Sequence, residues 1–217
     1  MLALVVGLAV SGCSSHPGDA AVVGSDTISQ GHLDRSARAL CAVQAASAQS
    51  SGQQVPGRTA RQSALALLLD GSLSTQYGAS VGISPDQAQL SAALAGYQTT
   101  VDQVAASQRS AFTDLLRSYV EGQLVLVTAG RRALVAQGTR RPTGEQAVAA
   151  GTQLRDAWAA KHGKVVVDPR YGSFANGRLV PASGSLSVPV SSSATAGAQG
   201  QPSASWVSAL PANLKCT

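Results

Sequence analysis

The sequence predicts a mainly α fold, in which five helices are joined by a small two-stranded sheet pairing the first and last segments of the domain, with a low-complexity C-terminal tail. Three observations predict it. Apolar residues recur at three- and four-residue spacing in five windows, each bounded by capping or breaking residues. Runs of β-branched residues stand at Ala21-Val22-Val23 and at Val165-Val166-Val167. From Pro181 to Ser205 the composition turns to Ser, Gly, Ala and Pro with almost no charge, too little apolar surface to offset the entropy of ordering. With 217 residues, the chain suffices for one ordinary domain and a tail. The boundaries expected are a leader over 1–12, a tether over 13–20, the helical domain over 21–180 and the tail over 181–217.

Met1 to Val10 is apolar and uncharged. It is shorter than the ~20 residues a bilayer-spanning helix needs, and so reads as a signal-peptide core. The run Leu8-Ala9-Val10-Ser11-Gly12-Cys13 resembles a bacterial lipobox, in which small residues precede a Cys that is acylated and becomes the new N-terminus. That resemblance implies an exported lipoprotein held by acylated Cys13 on the extracytoplasmic face of the cell membrane, with the lipid bilayer as its first partner. Such a compartment tolerates disulfides, and the two remaining thiols, Cys41 and Cys216, form the candidate pair. The loop they enclose would confer up to about 5 kcal/mol by chain entropy.

The elements follow in order. Ala21-Val22-Val23 is a strand, Gly24-Ser25-Asp26 a turn, and Thr27-Ile28-Ser29 a second extended piece. Ser29 then caps a first helix whose inner stripe is Leu33, Ala37, Leu40, Cys41, Ala45 and Ala48. After a polar connection over 50–57, a second helix runs from about Arg58 to Tyr77 on Ala64, Leu65, Leu68 and Leu69, with Gly78 and Gly82 closing it. Ser84-Pro85-Asp86-Gln87 starts a third, Ser84 capping and Pro85 fitting the first turn; its face is Leu90, Leu94, Tyr97, Val101 and Val104. The fourth helix, from about Gln108 to Gln137, carries Phe112, Leu115, Leu116, Tyr119, Val120, Leu124, Val127 and Leu134. Its broad apolar surface makes it the central helix, with Gly122 or Gly130 as places where it bends. Thr143 and Gln146 form a capping signal for a fifth helix with Val148, Leu154, Ala157 and Trp158 facing inward, ending near His162. Val165-Val166-Val167 then needs a partner strand, and Ala21-Val22-Val23 is the comparable segment.

The chemistry-bearing residues are sparse. Charged residues make up 12% and aromatics 4%, which argues against an ion-pair-rich surface or a large aromatic ligand pocket. Three His and three separated Cys assemble no metal-ligand cluster, and neither a phosphate-loop nor a dinucleotide glycine pattern is present. His32 and Asp34 are two apart on a helix and point to different sides. No Gly-x-Ser-x-Gly elbow places a nucleophile, so no enzymatic activity, cofactor or metal is expected. The net charge of +5 comes from scattered Arg residues. Arg131-Arg132 and Arg140-Arg141 bracket a helix end, where cations suit the dipole better than nucleic acid, and no nucleic acid partner is expected. Asp168-Pro169-Arg170 reads as a turn in which Arg bridges to a backbone carbonyl.

The segment Ala21-Val22-Val23-Gly24-Ser25-Asp26-Thr27-Ile28-Ser29, followed by a helix with Leu33 and Asp34, resembles the opening of the SurA family of periplasmic chaperones. Lys164-Val165-Val166-Val167-Asp168-Pro169-Arg170-Tyr171-Gly172-Ser173-Phe174 resembles the segment that closes the helical domain in SurA-like lipoproteins of high-GC Gram-positive bacteria. The resemblance implies a helical chaperone domain handling unfolded exported polypeptides, without the parvulin domain that carries prolyl isomerase activity in relatives. A client groove would then draw on Leu90, Leu94, Tyr97, Phe112, Leu116 and Tyr119. The alternative is an accessory envelope lipoprotein that binds one defined protein partner.

Overall fold

The computed structural model describes residues 18–180, 191–198 and 202–216. The leader over 1–12, Cys13 and the first part of the tail lie outside the described residues. The fold is mainly α with a small antiparallel sheet, as the periodicities require.

Strand β1 (Asp19–Val23) and β2 (Asp26–Ser29) form a hairpin, and β3 (Val165–Val167) pairs antiparallel with the other edge of β1. The first and last segments of the domain therefore meet as expected, in the register Ala21 with Val167 and Val23 with Val165. The sheet nevertheless has three strands instead of two. Gly24, at φ 56°, turns the chain tightly enough for Thr27-Ile28-Ser29 to fold back along β1, and Ile28 is buried. The Gln76 side-chain amide donates to the Val23 carbonyl at 2.7 Å and to Asp26 at 3.1 Å, tying the hairpin to the second helix. Asp19 and Ala20, expected in the tether, already belong to β1.

Helix α1 (Gln30–Ser51) begins at Ser29, whose hydroxyl accepts the His32 N–H at 3.2 Å. Helix α2 (Gly57–Ser80) passes through Gly78 and is closed after Ser80 by the turn at Gly82, φ 67°, where Ile83 returns its N–H to the Gly78 carbonyl at 2.8 Å. The expected third helix is two, α3 (Gln87–Ala95) and α4 (Gln98–Gln103). Gly96 and Tyr97 close α3 with short turn bonds back to Ala93 and Leu94, as Gly favours the end of a helix over its interior. Asp86, not Ser84, caps α3, accepting from the Gln89 N–H at 2.8 Å.

Helix α5 (Ala106–Ala136) packs against α1, α2, α3, α4 and α6 (Gly144–His162), and so is the central helix. Its glycines serve close approach. Gly122 faces Gly71 of α2, and Gly130 faces Ala147 and Gly151 of α6, where an added Cβ would collide with backbone. The inner face of α6 differs from expectation. Ala147, Gly151, Arg155 and Ala159 are buried, while Leu154 is 38% exposed and Ala157 is exposed. The backbones of α5 and α6 lie too close for large residues, so small ones occupy the seam. Thr143 and Gln146 form the expected capping box.

Strands β4 (Ser173–Ala175) and β5 (Arg178–Val180) form a second hairpin that was not anticipated, although its signal, Asn176-Gly177, stands in the sequence. Both turn residues have positive φ, 52° and 76°, the geometry of the favoured two-residue hairpin. Phe174 and Leu179 pack onto the main core, which is built on Leu33, Leu65, Leu69, Leu73 and Leu115. The C-terminal part contains two short helices, α7 (Ser192–Ala198) and α8 (Ala204–Ser208), and a 3-10 turn over Ala212–Leu214. It docks on the start of α2 through a bridge between Pro56 and Lys215 and a hydrogen bond from the Cys216 N–H to the Val55 carbonyl at 2.8 Å.

Candidate functional site

The six residues expected to line a client groove do not share one. Leu90 and Phe112 are 1% and 3% exposed, closed within the protein. Leu90 lies on α3, which packs on α5; for Phe112 the reason is the break at Gly96. Once α4 starts, Val101 and Val104 turn onto Phe112, Leu116 and Ala39 of α1 and seal that face. Leu94 is half-buried, and Tyr97 is exposed at the α3–α4 corner. Tyr119 opens instead into a separate cleft of about 500 Å³ bordered by Leu40, Leu67, Asp70, Phe174 and Leu179. Burial first, and then the Asp70 charge and Tyr97, raise the Tyr119 hydroxyl above its ordinary pKa.

Two other surfaces are shaped for contact. On the C-terminal half of α5, Leu124, Val127 and Val135 line a cleft of about 480 Å³ with Arg131 and Arg132 beside them. Val135 is 53% exposed, the largest exposure of any large apolar side chain among the described residues. Arg131 and Arg132 thus border an apolar strip one turn inside the helix end, and do not serve the terminal turn.

The second surface lies where the C-terminal segment meets α1 and α2. Cys41 and Cys216 are neighbours there, with Cα atoms 5.1 Å apart across a sequence separation of 175, within the range a disulfide spans. Beside them a cleft of about 430 Å³ is lined by Arg38, Arg58, Arg61, Trp206, Leu214 and Lys215, among others. Arg58 stands over the Trp206 ring, 5.8 Å from its centroid. The Trp206 indole N–H donates to the Ser193 carbonyl at 2.8 Å, which fixes the ring.

One polar cluster was not visible in the sequence. Arg155 of α6 is 3% exposed and donates to Asp70 of α2, to the Ser74 hydroxyl at 3.3 Å and twice to Asp156 at 2.7 and 2.9 Å. Burial works against its charge, yet Asp70 and Asp156 outweigh this and hold the guanidinium above its ordinary pKa. The second Asp70 oxygen accepts from Gln123 of α5 at 3.2 Å. Three helices are joined by this network. Its hydrogen bonds compensate the buried guanidinium and tie α2, α5 and α6 together.

At the turn after β3, Arg170 bridges the Asp168 carboxylate, rather than a backbone carbonyl, with its side chain at 2.6 to 3.1 Å and its own N–H at 2.9 Å. This holds the Asp168 carboxyl below its ordinary pKa. Among the described residues no three His, Cys, Asp or Glu side chains are grouped to hold a metal ion, and no helix is long and apolar enough to cross a membrane. The chain matches no protein-family model, no curated protein and no solved structure at a significant level.

Proposed function

We propose that this chain is an exported lipoprotein, acylated at Cys13, whose helical domain holds one defined protein partner at the extracytoplasmic face of the cell membrane without catalysis. The observation that carries the binding half of this reading is the division of accessible apolar surface. Among the described residues it is divided among separate clefts of about 430 to 510 Å³, each sized for a few side chains of a partner and not joined into one long cradle. Leu90 and Phe112, on which a client cradle would have relied, are buried. The contact favoured for the partner is the α5 strip of Leu124, Val127 and Val135, with Arg131 and Arg132 suited to carboxylates on its flank. The lipobox-like run ending at Cys13 supports the anchor, and the Cys41–Cys216 neighbourhood suits an oxidising compartment.

The second reading, a chaperone for exported polypeptides, is favoured by the antiparallel meeting of β1 and β3, the pairing that the resemblance to SurA-like domains implies.

Membrane fractionation tests the anchor. Cys13→Ala is expected to move the protein to the soluble fraction, and a variant that stays with membranes overturns it. Crosslinking in cells from position 135 tests the partner. One discrete adduct is expected; a smear of many adducts, together with suppression of aggregation of an unfolded client by the full chain, replaces this reading with the chaperone.

A further inference from the structure

We infer that the cleft between α1, the start of α2 and the C-terminal segment is a docking surface for anionic phospholipid head groups. It is lined by four cations, Arg38, Arg58, Arg61 and Lys215, and by one carboxylate, Asp34. Most of the net charge of the whole chain, +5, therefore borders one shallow opening.

Among the described residues, two of these cations, Arg38 and Lys215, pair with no carboxylate. Asp34 is taken by Arg61 at 2.8 Å. Among the described residues Lys215 donates to neutral acceptors, the Gln54 side-chain oxygen at 3.2 Å and the Ser208 carbonyl at 2.9 Å. Arg38 is exposed and, among the described residues, makes no ion pair. The remaining wall is apolar, formed by Ala37, Leu210, Leu214 and the face of Trp206. Cations around an apolar wall that includes a half-buried Trp match the interfacial layer of a bilayer, where phosphates lie beside glycerol and the first methylenes. A fully solvated acidic polypeptide would use the cations and leave the apolar wall wet.

The position agrees with the anchor. The Gly18 carbonyl accepts the Gln30 N–H at 2.7 Å, so the chain leading back to Cys13 leaves beside the first turn of α1. Asp34 lies about 6 Å and Arg38 about 12 Å further along that helix, at 1.5 Å per residue. The five residues back to Cys13 reach at most about 17 Å. The inference takes its membrane from the anchor reading, and its test does not need the anchor.

The test uses the full chain carrying Cys13→Ala, mixed with vesicles of phosphatidylcholine alone or of phosphatidylcholine with phosphatidylglycerol. Any contribution of the apolar leader is common to both vesicles. Cosedimentation measures partitioning, and in a Trp158→Phe background the emission of Trp206 reports the cleft itself, since the chain has two Trp. Phosphatidylglycerol is expected to raise partitioning and shift Trp206 emission to the blue. Arg38→Gln, which removes a side chain with no ion pair to lose, is expected to lower the anionic increment about fivefold, and Arg38→Gln with Lys215→Gln about thirtyfold, at about 1 kcal/mol per cation. Arg131→Gln with Arg132→Gln, the same charge change on α5, is expected to alter it less than about twofold. Equal losses from the two pairs, or no dependence on phosphatidylglycerol, overturn the inference. So does abolition of the Trp206 shift by inorganic phosphate, which assigns the cleft to a free anion, or a larger shift with a polyglutamate peptide, which assigns it to an acidic protein.

Discussion

Arg155 and Asp70 meet inside the protein, the guanidinium of α6 against a carboxylate of α2, with α5 joining through Gln123. The pair sits beside the seam where α5 and α6 are drawn together by Gly130 and Gly151. A long cation is thereby placed among small residues, where hydrogen bonds on every side compensate its lost hydration. Asp70→Ala removes one partner and leaves Asp156 to hold the guanidinium. The expected loss is about 2–3 kcal/mol, below the ~3–5 of a fully buried pair because the Asp70 side chain is 29% exposed. Arg155→Met, which withdraws the buried charge itself, should cost less. Urea denaturation of both variants checks this order, and Arg155→Met the less stable of the two would contradict it.

The glycine seam makes a sharper contrast. A methyl group at Gly130 or Gly151 meets the backbone of the opposite helix, so Gly130→Ala should destabilise by about 1–3 kcal/mol or more. At Gly144, the first residue of α6, a methyl group meets nothing within 4 Å. Gly144→Ala is therefore expected to be neutral or to stabilise by up to about 1 kcal/mol. Thermal melts of the two proteins should move in opposite directions or differ by several degrees.

Asp168 gives a pH dependence of known sign. Its carboxyl is held below 3.8 in the folded state, chiefly by the Arg170 side chain. The stability it contributes is present above the unfolded pKa and is lost as the pH falls through the folded value. Asp168→Asn should lower the melting temperature at pH 7, and the gap to the parent should close as the pH falls below about 3.8. A gap that widens on acidification would show that another group controls this turn. Added salt should narrow it at neutral pH, since the Arg170 side chain is 59% exposed.

The neighbourhood of Cys41 and Cys216 leads to a mapping experiment. In protein recovered from an oxidising compartment, non-reducing peptide mapping is expected to find the two linked. Reduction should then lower stability by up to about 5 kcal/mol, the chain-entropy value for so long a loop. Two alkylatable thiols in freshly exported protein would remove the cross-link.

Much of the helical architecture was legible because it rests on local rules. Ser29, Thr143 and Gln146 cap helices where side-chain chemistry says they should, and Leu65, Leu68 and Leu69 of α2 are buried as their spacing requires. Gly96 divided the third helix because backbone entropy outweighed a stripe that was otherwise continuous. Asn176-Gly177 is a hairpin signal whose flanking strands, three residues each, are too short to show a period of two. The inner face of α6 departs from the apolar spacing for a different reason. Apolar spacing selects Leu154 and Trp158, and Trp158 does pack half-buried against the core beside Tyr77; but a helix that approaches another at glycine buries its small residues, and Leu154 lies at the rim.

The sequence by itself determined the class of fold and the meeting of the first and last β-branched runs, which depend on residues near one another or on the scarcity of alternatives. The tertiary structure decided what is buried and what is open. It closed Leu90 and Phe112, placed Arg155 between two carboxylates, and gathered Arg38, Arg58, Arg61 and Lys215 around Trp206 from segments more than 100 residues apart. Burial and charge clustering are properties of which helix faces which, and no local periodicity encodes the distance between two backbones.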